Sequence, residues 1–204
     1  MTNVTEKKRR RGDRKPRILI AGLGNLLLRD DGVGVHAVKR FQKSAGNGYR
    51  AVEVGCAVLD ALHLFEWSEK ILLIDAMKAG GSPGTVYWVS SIEDLDGGPA
   101  PSSLHELSIV QALKMINPPR PPEVAIIGVE PEVIDFGLDL SKSVEAALPL
   151  VLQTGKKIIE KWLGKDIFLG PPIITSLNPL GTGKILLTNQ EITAPTAKAI
   201  SLTG

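Results

Sequence analysis

The run Ile18-Leu19-Ile20-Ala21 offers no polar face to water and passes directly into Gly22-Leu23-Gly24-Asn25. A strand without polar alternation is buried on both faces, as the central strands of parallel sheets are. Arg17 to Gly24 therefore reads as such a strand. After Asp31 the apolar residues Val33, Ala37, Val38, Phe41 and Ala45 recur at helical spacing. Strand, glycine turn and helix make a βα unit, and a chain that begins this way is held to a layered α/β arrangement.

The alternation continues along the chain. Tyr49 to Val54 reads as a second strand, Val58 to Phe65 as a helix, and Lys70 to Ala76 as a third strand with Asp75 at its end. Gly80-Gly81-Ser82-Pro83-Gly84 is a turn signal, and the short connection suits an antiparallel strand from Thr85 to Ser90. A loop rich in Gly, Pro and Ser, Asp96 to Ser103, precedes a helix that starts at Leu104 and runs to the region of Ile116. A strand from Glu123 to Val129 follows, then a helix from the region of Ser141 to Leu163, in which Pro149 predicts a kink or marks the first turns. Alternating strands and helices predict a parallel sheet.

Charge is unevenly placed. Residues 1–17 hold eight of the 24 basic residues and two of the 22 acidic ones, so the remaining 16 basic and 20 acidic residues carry a net −4. The run Lys7-Lys8-Arg9-Arg10-Arg11 has no interleaved aromatics and reads as a solvated end rather than a nucleic-acid arm. Residues 1–16 are taken as a basic flexible tail, 17–163 as the α/β domain, and 164–204, where Pro, Gly, Thr and Asn replace periodicity, as an irregular C-terminal extension. No apolar run approaches the ~20 residues that span a bilayer. Ile18 to Leu28 lacks a following small-residue cleavage site and meets Asp30-Asp31 too soon for a secretion signal. A lone Cys56 excludes an internal disulfide. The expectation is a cytoplasmic protein with no membrane insertion and no nucleic-acid partner.

Gly22-Leu23-Gly24 after a first strand resembles half a dinucleotide fingerprint, but Leu27 stands where the third glycine belongs, and two carboxylates guard the entrance against a pyrophosphate. Of Asp30 and Asp31, one is expected to cap the following helix. The other lies on the carboxyl edge of the sheet, where open α/β folds place ligands. Asp75 ends the third strand on that same edge. His105 falls in Ser103-Leu104-His105-Glu106, whose Ser-x-x-Glu spacing is that of a capping box, which predicts a place in a first helical turn, where the helix dipole disfavours protonation and leaves the imidazole free to ligate. Two carboxylates and an imidazole make an open site for a divalent transition metal, completed by water or by another molecule. Cys56 with His63 is the weaker pairing, and Cys56 reads as a buried structural thiol. His36 reads as surface or interfacial.

Taken in order, Ile18-Leu19-Ile20-Ala21-Gly22-Leu23-Gly24-Asn25 with Asp30-Asp31-Gly32-Val33-Gly34, Leu72-Leu73-Ile74-Asp75-Ala76 with Gly81-Ser82-Pro83-Gly84-Thr85, and His105-Glu106-Leu107 resemble the hydrogenase maturation proteases. The resemblance spans residues 17 to 163. It implies an α/β single domain with a twisted, mostly parallel sheet sandwiched between helices; a monomer is expected. It also implies an endopeptidase that removes the C-terminal peptide of the precursor large subunit of a nickel-iron hydrogenase, its partner. Asp31, Asp75 and His105 fall on the nickel-contacting, catalytic positions, and the nickel comes with the precursor rather than as a resident cofactor. Two other readings stay open at this point: a non-catalytic assembly factor that checks nickel insertion, and a metallopeptidase with an unrelated substrate.

Overall fold

The computed structural model describes residues 14–44, 48–90 and 104–169, with the backbone alone for residues 104–108 and 110. The described chain forms β1 (Ile18–Leu23), α1 (Val33–Gln42), β2 (Tyr49–Gly55), α2 (Leu62–Trp67), β3 (Lys70–Ala76), β4 (Val86–Val89), α3 (Leu104–Met115), β5 (Glu123–Val129) and α4 (Lys142–Trp162). Two 3-10 turns, Arg29–Gly32 and Val58–Ala61, lead into α1 and α2. The expected helix from Val58 thus begins as a tighter turn, and Ala45 lies outside the described residues.

The strands form a single five-stranded sheet in the order β2-β1-β3-β5-β4. β1, β2, β3 and β5 are parallel, with Ile20 beside Ala51 on one side and Leu72 on the other. β4 runs antiparallel, paired to β5 at the edge. This is the α/β class that the alternation predicts. Every residue of β1 is buried, as are all but the first of β3. Each such Ile or Leu contributes about 1.5–3 kcal/mol of burial.

From β1 the chain crosses to β2, then back past β1 to β3. Right-handed crossovers in opposite directions place α1 and α2 on opposite faces. α1 packs on β1, β2 and β3, and α4 joins it while covering β4 and β5. Gly155 makes that pairing possible, since a Cβ there would come within 2.7 Å of the Phe41 ring. α3 packs against α2 and the turn before it. The start of α1 sits so close to the sheet that a Cβ on Gly34 would overlap the Ile74 carbonyl.

Pro149 lies in the interior of an unbroken α4. Pro149 and Glu145, whose carbonyl it leaves unpaired, are both exposed, so water takes up the lost bond. Ser141 caps this helix, its Oγ accepting from Val144 N at 3.4 Å. Of the basic tail, residues 14–16 are described, and Arg14 pairs with Glu69. The Asp96–Ser103 loop and the extension beyond Leu169 lie outside the described residues. Among the described residues no helix is long and apolar enough to cross a membrane.

Candidate functional site

The chain reverses direction across the sheet between β1 and β3, and the carboxyl ends of those two strands flank the crevice where open α/β sheets bind ligands. Asp31 follows β1 and Asp75 is the penultimate residue of β3. Both side chains are buried. The sequence-derived pair therefore meets at one edge.

Gly24 is the point around which they meet. Its φ of +101° is one that side chains rarely adopt, and a Cβ there would overlap the Asp31 carbonyl oxygen and lie 3.5 Å from Asp75 Oδ1. The absence of a side chain at Gly24 lets the turn fold back against β3. Asp31 Oδ2 then accepts from Asn25 N at 2.7 Å, and Asp75 Oδ1 accepts from Ala76 N at 2.9 Å.

Neither aspartate caps α1, contrary to expectation. The helix is preceded by Gly32 with no side-chain cap, because Asp30 and Asp31 belong to the 3-10 turn before it. Asp30 instead turns inward to full burial and reaches the segment after β5. Its Oδ2 accepts from Glu132 N and Val133 N, each at 2.9 Å, and its Oδ1 from Ser141 N at 2.7 Å. Adjacent carboxylates thus have different tasks: one anchors the turn, the other faces the crevice.

A second buried carboxylate fastens the other side. Glu130 Oε2 accepts from Ala79 N at 2.9 Å, Gly81 N at 3.0 Å and the Tyr87 hydroxyl at 2.6 Å, while Oε1 accepts from Gly80 N at 3.3 Å. It holds the loop that leaves Asp75. Desolvation, then the bond to Glu130, pushes the Tyr87 phenol well above its usual range. The sequence reading missed Asp30 and Glu130 as anchors; the clue in the sequence was an acidic residue directly after the apolar run Val124–Val129.

Cys56, expected as a buried thiol, is exposed, because it follows the end of β2 on the same carboxyl edge. Partial desolvation, then the charges of Asp31 and Asp75, push its thiol above the ordinary value. Such a thiol stays protonated and is a poor nucleophile. His63 is engaged elsewhere, its Nδ1 3.0 Å from the Asp60 carbonyl. His36 is partly buried on α1; desolvation, then Arg40 and Lys39, lower its pKa, while Leu138 and Asp139 oppose the shift. It lies at an interface with the 130–141 segment, as the interfacial reading has it.

His105 is the second residue of α3, in the first helical turn as the spacing predicts. Its side chain, and Ser103 of the expected capping box, lie outside the described residues. Among the described residues no three His, Cys, Asp or Glu side chains gather closely enough to hold a metal ion. The described donor set is two carboxylates, whose hard, anionic oxygens suit a divalent cation that brings other ligands with it.

A family model described as hydrogenase maturation protease matches residues 35–158. The hydrogenase expression/formation protein HoxM of Azotobacter vinelandii is 31% identical over 150 residues, covering 71% of this chain and 72% of that protein. The structure of the [NiFe] hydrogenase maturation protease HybD from Thermococcus kodakarensis superposes with a TM-score of 0.62 at 29% identity, covering 70% of this chain and 99% of that one. The hydrogenase maturating endopeptidase HybD from E. coli shares the fold, with a TM-score of 0.63 at 23% identity over 71% of this chain and 92% of that one.

Proposed function

The chain belongs to the hydrogenase maturation protease family, and from that premise we propose that it is the endopeptidase that removes the C-terminal peptide from a nickel-loaded precursor of a nickel-iron hydrogenase large subunit. The observation that carries this reading is the meeting of Asp31 and Asp75 around Gly24 at the switch point of the sheet. Two carboxylates at an open edge leave positions for ligands from another molecule, which suits a metal that arrives with the substrate.

In this reading Asp31, Asp75 and His105 engage the nickel carried by the precursor and so place the scissile peptide bond at the edge of the crevice. Water attacks the carbonyl carbon, the C–N bond breaks, and the water proton passes by way of a carboxylate to the leaving amine. The Cys56 thiol takes no part, being protonated beside two carboxylates. The work is done in the cytoplasm, late in hydrogenase assembly.

The test is to mix the purified protein with the precursor, loaded with nickel or free of it, and to weigh the large subunit by mass spectrometry. Shortening at the C-terminus in the nickel-loaded sample alone is the expected result. Binding without shortening would instead make the protein an assembly factor. Cleavage of unrelated peptides without nickel would make it a general metallopeptidase.

A further inference from the structure

Four large apolar side chains are left in water along one part of the site edge. Phe136 is 84% exposed, Leu138 65% and Leu27 58%, and Ile134 is exposed beside them in sequence. Leu28 and Gly137 form a parallel β-bridge, flanked by bonds from Arg29 N to the Gly137 carbonyl and from Gly137 N to the Leu27 carbonyl, each 3.0 Å. The bridge lays the backbone of residues 27–29 alongside that of residues 136–138, so the exposed side chains of Leu27, Phe136 and Leu138 come from two adjoining segments.

This surface is held rigidly and belongs to the same unit as the site. The three bonds from backbone N–H groups to the buried Asp30 carboxylate fix residues 132, 133 and 141, and Asp30 N bonds the Val133 carbonyl at 3.4 Å. Asp31, the site carboxylate, is the next residue. A rigid, exposed apolar cluster continuous with a reaction site is the mark of an interaction surface rather than a core defect. Exposed Glu132, Asp135 and Asp139 are interspersed with the apolar side chains, so the surface complements apolar side chains accompanied by Lys or Arg.

We propose that Leu27, Ile134, Phe136 and Leu138, with the carboxylates of Glu132, Asp135 and Asp139, form the surface on which the precursor polypeptide docks through an apolar segment bearing basic residues. The proposal rests on the protease reading above and adds to it the surface and the chemistry of the segment recognised. Docking there sets the register of the precursor against the Asp31 turn. Residues on the surface govern affinity, whereas those at the crevice govern turnover.

The experiment offers the nickel-loaded precursor to the full-length wild type and to three variants: Phe136→Ser with Leu138→Ser, Asp135→Asn with Asp139→Asn, and Asp31→Asn. Steady-state cleavage and equilibrium capture on immobilised protein are both read. The apolar double variant is expected to raise KM and weaken capture by about tenfold or more, with kcat within about twofold and an unchanged melting temperature. The acidic double variant reduces the salt dependence of capture. Asp31→Asn still captures the precursor through this surface, keeps its dependence on Phe136 and Leu138, and cuts it at least about 100-fold more slowly.

The docking proposal is overturned if the apolar variant captures and cuts with wild-type KM. It is equally overturned if capture is unchanged while the variant falls from dimer to monomer in sedimentation, which would make the face a contact between copies of this chain. Failure of the protease reading looks different. Wild type would then hold the precursor without shortening it, and capture would still depend on Phe136 and Leu138, which supports docking and discards cleavage.

Discussion

The Asp30 carboxylate accepts a hydrogen bond from Ser141 N at 2.7 Å, tying the turn that carries Asp31 to the residue that caps α4. With the bonds from the part-buried Glu132 N and Val133 N, one buried anion satisfies three backbone donors, of which Ser141 N is itself buried. Charge-assisted bonds of this kind are stronger than neutral ones. The site turn therefore inherits the rigidity of the longest helix in the described chain.

Replacing Asp30 by Ala leaves the buried Ser141 N unpaired and removes a charged acceptor from the part-buried Glu132 N and Val133 N. At about 1–3 kcal/mol for a buried unsatisfied group, the loss is expected to be at least about 1 kcal/mol, read as a lower urea midpoint with an unchanged slope. Asp30→Asn retains acceptor capacity on one oxygen only and falls between.

Asp31→Asn, Asp75→Asn and His105→Ala are each expected to reduce precursor processing by about 100-fold or more, the scale of a lost general acid or base. Asn at position 31 still accepts from Asn25 N, so circular dichroism and the melting temperature should stay near wild type. Near-wild-type cleavage by these variants would remove the three residues from the site.

Gly24→Ala and Gly164→Ala make a matched pair, since both glycines have positive φ, +101° and +83°. At Gly164 nothing lies within 4 Å of an added Cβ, so the cost is about 1–2 kcal/mol of backbone strain alone. At Gly24 the Cβ meets the Asp31 carbonyl, the turn must shift, and processing is expected to fall far more than it does for Gly164→Ala. Equal cleavage rates in the two variants would contradict the role given to Gly24.

Cys56 is exposed yet its thiol is held protonated, by desolvation and then by Asp31 and Asp75. At pH 8 it should react with iodoacetamide more slowly than a free thiol. Asp75→Asn removes one negative charge, lowers the thiol pKa and should speed labelling several-fold. Cys56→Ala should process the precursor at the wild-type rate. An inactive Cys56→Ala would restore the thiol-nucleophile reading.

Tyr87 predicts an alkaline limit. Its phenol titrates higher in the folded chain than in the unfolded one, where the value is about 10, so the folded state holds the proton more tightly. Stability from this source is full below about pH 10 and is lost as pH rises above it. Tyr87→Phe is expected to cost about 1.5–3 kcal/mol at neutral pH, the range for a bond to a charged acceptor, and to flatten the decline above pH 10 in urea titrations.

Much of the fold could be read from neighbouring residues. β1, β3 and β5 are continuous apolar runs, and the helical spacing of Val33, Ala37, Val38 and Phe41 marks α1, because burial on both faces and a 3.6-residue period are local properties. The edge placement of Asp31 and Asp75 followed from their positions after strands. The capping role given to one of Asp30 and Asp31 did not hold. An aspartate before a helix has a local partner to offer in any sequence, whereas Asp30 bonds residues more than one hundred positions away. Cys56 was misjudged for a related reason, since its exposure depends on β2 ending at the sheet edge.

The sequence by itself determined the α/β class, the family, and which residue types were available to the site: two carboxylates after apolar strands and a histidine in a first helical turn. Tertiary structure decided how they are used. It brought Asp31 to Asp75 around a glycine with no room for a side chain, turned Asp30 inward as an anchor, used Glu130 to hold the loop after Asp75, and bridged Leu28 to Gly137 so that exposed apolar residues of two distant segments adjoin. Those outcomes depend on the register and approach of segments far apart in the chain, and no local pattern encodes which distant backbone N–H a buried carboxylate will find.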